Sequence, residues 1–170
     1  MLKVLIIDDE PNVRKGLKIL VPWEENGFEI CGDSGDPDEG LSLIMSMEPD
    51  IVLIDIKMPG RLGLDIIREV RENGFSGKFI IVSGYSNFDY AKDAIRYGVK
   101  SYILKPVDED ELMEIILKLK EEIAQDRKWE KDKKIVEEDA IRNLLLEGNR
   151  ELEDKLCKYD SFQTAIIFNE

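Results

Sequence analysis

The sequence predicts an α/β fold of three layers, a doubly wound parallel sheet of five strands with helices on both faces. Two patterns carry that reading: five short, nearly unbroken apolar runs, and helix-spaced segments that alternate with them along the chain. A strand buried on both sides loses the apolar-polar alternation of a half-exposed antiparallel strand, so unbroken runs belong in a sheet covered twice. A third pattern adds a rim. Four of the runs stop at Asp8-Asp9, Asp55, Ser83 or Lys105, and sheets of this class gather ligand-binding groups outside the carboxyl ends of their strands.

Taken in order, Leu2 to Ile7 is a β-rich run that meets Asp8-Asp9-Glu10, and Pro11 suits the first turn of a helix on which Val13, Leu17 and Leu20 share a face. Phe28 to Gly32 is a weaker strand. Leu41, Ile44 and Met45 mark the next helix, Ile51 to Ile54 the next strand, and Leu64, Ile67 and Val70 the helix after it. Lys78 to Val82 ends at Ser83-Gly84, Phe88, Ala91 and Ile95 have helical spacing, and Val99 to Leu104 ends at Lys105-Pro106.

Past Pro106, Asp108 is placed as an N-cap with Glu111 completing a capping box, and Leu112, Ile116, Leu119 and Ile123 line one face of a last helix. No Pro or Gly interrupts the stretch from Val107 to Glu147, so this helix is expected to outrun the compact domain. Two readings of its far part stand. Val136, Ala140 and Leu144 form a heptad-compatible stripe that a two-stranded coiled coil would bury; alternatively, a single solvated helix laced with i,i+4 charge pairs ends near Gly148-Asn149. Leu152 to Leu156 is a short helical candidate and Phe162 to Phe168 reads as a strand with nothing to pair with. The expected division is 1–122 for the core domain, 123–148 for a helical linker, and 149–170 for the start of a truncated middle region or a flexible tail.

Composition narrows the chemistry. The chain has 170 residues and a net charge of -13, which argues against direct contact with nucleic acid, so any DNA-reading role is indirect. With no histidine there is no His-based zinc site, His general base or Ser-His-Asp triad, and two cysteines, Cys31 and Cys157, are too few for a zinc ribbon or a disulfide scaffold. No signal segment precedes Leu2 and no run nears the ~18 apolar residues of a membrane span, so the expected location is cytoplasmic, with no membrane partner.

Asp8 and Asp9 facing Asp55 across neighbouring strands are a costly arrangement unless a cation shares them. Mg2+ fits: it takes hard oxygen ligands, one to three of them carboxylates, and keeps waters that phosphate oxygens replace. A carboxylate is also a nucleophile for phosphoryl transfer, and Asp55 stands alone at its strand end between Ile54 and Ile56. Lys105 would supply positive charge to phosphoryl oxygens and Ser83 a hydrogen bond. Singly, each residue also has an ordinary reading as a turn former, helix cap or solvated charge, and only their joint placement favours a site.

In this setting the chain resembles the receiver domain of bacterial two-component response regulators, over about residues 2–122. The motifs fall in order: Asp8-Asp9, then Asp55-Ile56-Lys57-Met58-Pro59 with Gly63 beyond, then Ser83, Tyr102 and Lys105-Pro106. The resemblance implies a flavodoxin-like sheet of order 2-1-3-4-5, an order already familiar for a receiver protein. It implies Asp55 as phosphoacceptor for a partner sensor histidine kinase, and Mg2+ held by Asp8, Asp9, Asp55 and the backbone carbonyl of Lys57. It further implies Ser83 and Tyr102 as switch residues, a cis bond before Pro106, and signalling through the face of the fourth helix, fifth strand and fifth helix. A homodimer is expected through that face or through the helical extension.

Ser83 to Ala91 and Trp23 to Phe28 look like the subgroup whose complete proteins end in an AraC-type pair of helix-turn-helix motifs, a module absent from residues 123–170. DNA would be reached only through that output domain. Arg61, beside the acceptor motif, is a departure expected to alter phosphotransfer or dephosphorylation rates. Two other readings of the acidic rim remain: an aspartyl-phosphate phosphohydrolase of the haloacid dehalogenase class, whose nucleophile lies at the end of the first strand, and an interaction domain that works without phosphate.

Overall fold

The computed structural model describes residues 1–85 and 88–147, with side chains on the last helix described through residue 142. The order is β1 (Leu2–Ile7), α1 (Pro11–Leu20), β2 (Phe28–Ser34), α2 (Pro37–Met47), β3 (Ile51–Ile54), β4 (Lys57–Met58), β5 (Arg61–Leu62), α3 (Gly63–Glu72), β6 (Lys78–Ser83), α4 (Phe88–Arg96), β7 (Ser101–Leu104) and α5 (Glu109–Glu147). The five long strands form one sheet in the order β2-β1-β3-β6-β7, every neighbouring pair parallel. Leaving aside the small β4–β5 pair, this is the 2-1-3-4-5 order.

Alternate residues of each strand point to opposite faces, and both faces are covered. Val4 and Ile6 of β1, Leu53 of β3 and Ile80 and Val82 of β6 pack with Leu17 of α1 and with Leu112, Ile116, Leu119 and Ile123 of α5. Leu5, Ile7, Val52, Ile54, Phe79 and Ile81 pack on the other side with Ile44 of α2, Leu64, Ile67 and Val70 of α3, and Ala94 of α4. Over Val4 to Ile7, Ile51 to Ile54 and Phe79 to Val82 the central strands are unbroken apolar runs because water reaches neither side.

Helix starts follow local chemistry. The Asp36 carboxylate accepts hydrogen bonds from the Asp38 and Glu39 amides at 3.0 and 2.8 Å, with Pro37 beginning α2. Asp108 accepts the Glu111 amide at 3.0 Å at the start of α5. Near Phe28, Lys120 of α5 donates to the Asn26 carbonyl at 2.6 Å, and Trp23 donates its ring N–H to the Leu17 carbonyl at 3.0 Å.

Several expectations are corrected. Strand β2 continues past Gly32 to Ser34, because a register shift between Val4 and Leu5 lets the ladder pass Cys31 and resume at Gly32. Strand β7 begins at Ser101; Val99 instead closes the end of α4, donating its amide to the Ala94 carbonyl at 2.9 Å after Gly98 turns with φ 68°. On α4, Phe88 and Ile95 are exposed and the buried face is Ala94 with the partly buried Tyr90 and Tyr97. Both stripes have helical spacing, and the small Ala94 lets the helix approach the sheet. Met45 of α2 is likewise exposed.

The hairpin of β4 and β5 had not been anticipated. Its turn places Pro59 before Gly60, which has φ 88°, and Pro-Gly is the signature of a turn needing a positive φ at its third position. The chain divides into two units between Ile123 and Ala124. In the second, α5 leaves Trp129, Ile135, Val136 and Ile141 exposed. The candidates Leu152–Leu156 and 162–168 lie outside the described residues, as do Leu144 as a side chain and the Ser86-Asn87 step. No described helix is long and apolar enough to cross a membrane.

Candidate functional site

Because the strands are parallel, their carboxyl ends share one rim, and ladder hydrogen bonds carry the residues beyond them into place. The Asp8 amide donates to the Ser34 carbonyl at 3.0 Å, the Asp55 amide to Ile7 at 2.9 Å, and the Lys105 amide to Ser83 at 2.9 Å. Residues 47 and 50 positions apart in sequence thereby meet.

One carboxylate oxygen each from Asp8, Asp9 and Asp55 lies within 4.8 Å of the others. Asp8 and Asp55 are buried, and Asp9 is half-buried. Lys105 reaches into the same place, its Nζ 2.8 Å from Asp8 Oδ2, Glu10 Oε1 and Asp55 Oδ2. Burial opposes the charge on Lys105, but the Asp55, Asp8 and Glu10 carboxylates outweigh it and hold the ammonium above the ordinary lysine range. For Asp8, burial prevails: it pushes the carboxyl up, against the Lys105 ammonium and the Glu10 amide, which donates to Oδ1 at 2.9 Å.

Asp8 Oδ2 has the ion-pair contact with Lys105 but no aligned hydrogen bond, so it is a buried anionic oxygen short of a partner. That oxygen, with two further carboxylates in reach, fits a hard divalent cation of the Mg2+ kind. Lys57 stands beside the cluster; its amide donates to Asp55 Oδ1 at 3.2 Å, while its ammonium lies over the Tyr85 ring, 3.9 Å from the centroid.

A cavity of about 470 Å³ opens on Asp55, lined also by Asp9, Glu10, Lys57, Tyr85 and Lys105. Asp8 and Ser83 do not line it. Ser83 is fully buried, and its hydroxyl accepts the Tyr85 amide at 3.4 Å. Tyr102 donates its hydroxyl to the Tyr85 carbonyl, and burial pushes its phenol up, against a hydrogen bond with Ser83. The Lys105–Pro106 bond is cis.

Gly63 is dictated by crowding: a Cβ there would lie 2.0 Å from the Asp55 carbonyl oxygen, where the start of α3 crosses the acceptor loop. Arg61 pairs with Glu69 of α3 and Asp38 of α2 rather than with Asp55. Two contributors were missed in the sequence. Glu10 was visible only as the third acid of a run. Arg14, one turn into α1, donates to the Asp8 carbonyl at 2.5 Å and to Asp33 at 2.9 Å, which ties the acidic turn to β2.

A comparison with protein families matches residues 4–117 to the response regulator receiver domain. The chain belongs to that family. The receiver is 39% identical over 132 residues to the uncharacterized transcriptional regulatory protein YesN of Bacillus subtilis, a match covering 75% of this chain and 36% of that protein. It is 40% identical over 117 residues to the transcriptional regulatory protein HptR of Staphylococcus aureus, covering 69% of this chain and 45% of HptR. The receiver thus spans less than half the length of these relatives. Among solved structures, the receiver domain of AraT, a response regulator from Geobacillus stearothermophilus, is similar with a TM-score of 0.69 and 36% identity, covering 74% of this chain and 98% of that one. A LuxR-family DNA-binding response regulator from Staphylococcus aureus is similar at a TM-score of 0.63 and 30% identity, with 70% and 98% covered.

Proposed function

We propose that this receiver is the phosphorylation-dependent switch of a transcription regulator, with Asp55 accepting a phosphoryl group from the phosphohistidine of a sensor histidine kinase. One observation carries the reading: in a cavity at the sheet rim, the Asp55 carboxylate stands beside two further aspartates with the Lys105 ammonium 2.8 Å from its Oδ2. An Asp55 oxygen attacks phosphorus, the phosphorus–nitrogen bond of the donor breaks, and the imidazole leaves with the bonding pair. Asp8, Asp9, Asp55 and the Lys57 carbonyl would hold Mg2+, which when bound neutralises charge on the transferring group. Lys105 turns its ammonium to the new phosphoryl oxygens, and Ser83 and Tyr102 follow as the loop around Tyr85 repacks. The chain's own catalysis is then limited to this transfer and slow autodephosphorylation.

Asp8, the residue a haloacid-dehalogenase-type nucleophile would require, does not line the cavity on which Asp55 opens, which favours Asp55. An apolar groove of about 800 Å³ adjoins the site through Glu10 and Lys105 and includes Val13, Ile19, Leu20, Pro106 and Val107, giving the kinase a docking surface. We assign residues 1–122 to the receiver, 123–148 to a linker and 149–170 to a middle region, with an AraC-type output module supported by the Ser83–Ala91 and Trp23–Phe28 segments. The exposed Trp129 and Val136, with Ala140 on the same side of α5, suit pairing with a second copy. The exposed Phe88 and Ile95 offer a second self-pairing face on α4.

The test is incubation with acetyl phosphate and Mg2+ followed by intact-mass spectrometry. One base-labile phosphoryl group per chain, lost in Asp55→Asn, is the expected result; turnover of a phosphate ester that depends on Asp8 would favour the hydrolase, and no adduct at all would favour the phosphate-independent domain.

A further inference from the structure

We propose that Glu10 is a positioning residue that holds the Lys105 ammonium at the rim and so keeps the buried Asp8 and Asp55 oxygens available to a divalent cation. The proposal rests on reading Asp8, Asp9 and Asp55 as the cation site.

Lysine has three N–H donors, and Lys105 faces three carboxylates at 2.8 Å, those of Asp8, Glu10 and Asp55. Two of these belong to the acidic cluster, and the contact on each is to Oδ2. An ammonium and a divalent cation compete for the same oxygens, because each repels the other at contact distance. Glu10 alone among the three lies outside the cluster, and its side chain is 59% exposed. When a cation takes the buried oxygens, the Glu10 contact is the one Lys105 retains. Without it, the ammonium has only Asp8 and Asp55 to settle on, and the cation must displace it fully. Glu10 flanks α1 at its N-cap position but makes no side-chain cap hydrogen bond, so changing it does not uncap the helix.

A contact and a mere negative charge make different predictions. Glu10→Ala removes both, whereas Glu10→Asp keeps the charge and withdraws the carboxylate by one methylene from the 2.8 Å contact. Mg2+ affinity of the full chain is read by calorimetric titration, which needs no phosphoryl transfer. Both variants are expected to bind Mg2+ about threefold more weakly than the wild type, the scale of one partly exposed ion pair. In a Lys105→Met background neither substitution lowers the affinity further. Wild-type affinity in Glu10→Asp with a loss only in Glu10→Ala would overturn the proposal in favour of simple charge, and so would no loss in either variant or an added loss in the Lys105→Met background. A wild-type chain that binds no Mg2+ would instead overturn the cation site itself.

Discussion

Lys105 is the residue on which the site balances, since its one ammonium faces the carboxylates of Asp8, Glu10 and Asp55. Removing any of these acids changes the charge around Asp55 as well as the geometry, so substitutions at the rim need a control that alters shape alone. Gly63 provides it. A methyl group there would lie 2.0 Å from the Asp55 carbonyl oxygen, and backbone leaves little room to give. Gly63→Ala is expected to cost about 1–3 kcal/mol of stability and to reduce phosphoryl adduct by displacing the acceptor loop, read from urea unfolding and adduct mass under one set of conditions. Asp8, Asp9, Asp55, Ser83 and Lys105 were all legible as strand-end residues. The contribution of Glu10 was not, because its side chain acts by reaching a lysine 95 positions away.

Among the elements, α4 shows where periodicity stops deciding. Phe88, Ala91 and Ile95 share one side and Tyr90, Ala94 and Tyr97 another, about a third of a turn away, and both satisfy helical spacing. Packing against the sheet selected the side centred on Ala94. Ala94→Leu should therefore destabilise by about 1–3 kcal/mol, whereas Ile95→Ser should change unfolding stability by no more than about 0.5 kcal/mol; equal effects would restore the stripe first read from the sequence. The contact of α1 with β2 predicts a pH effect. Hydrogen bonds from Lys18 and Arg14 hold the Asp33 carboxyl below its ordinary 3.8, against the opposing effect of burial. A depressed carboxyl contributes stability above its unfolded value and loses it as pH falls through the folded one. Asp33→Asn is thus expected to be less stable than the wild type at neutral pH, with the gap between urea midpoints closing as the pH drops below 3.8.

At the scale of the whole chain, the second unit has apolar side chains that nothing within the described residues buries. Trp129 and Val136 are exposed by 75% and 63%, seven residues apart on α5, the repeat that a two-stranded coiled coil requires. The full chain is expected to sediment as a dimer and Val136→Asp as a monomer with unchanged receiver phosphorylation; a monomer in both would leave α5 as a solvated helix. The fold class, the strand sequence and the acidic rim were determined by the sequence alone, because a strand buried on both faces is apolar over most of its length and the acids, Ser83 and Lys105 follow the apolar runs directly. Which face of α4 is buried, which acids pair with Arg61 and which share Lys105 were decided only by tertiary structure. Those choices depend on the side chains that distant segments bring into contact, and one-dimensional spacing carries no record of that distance.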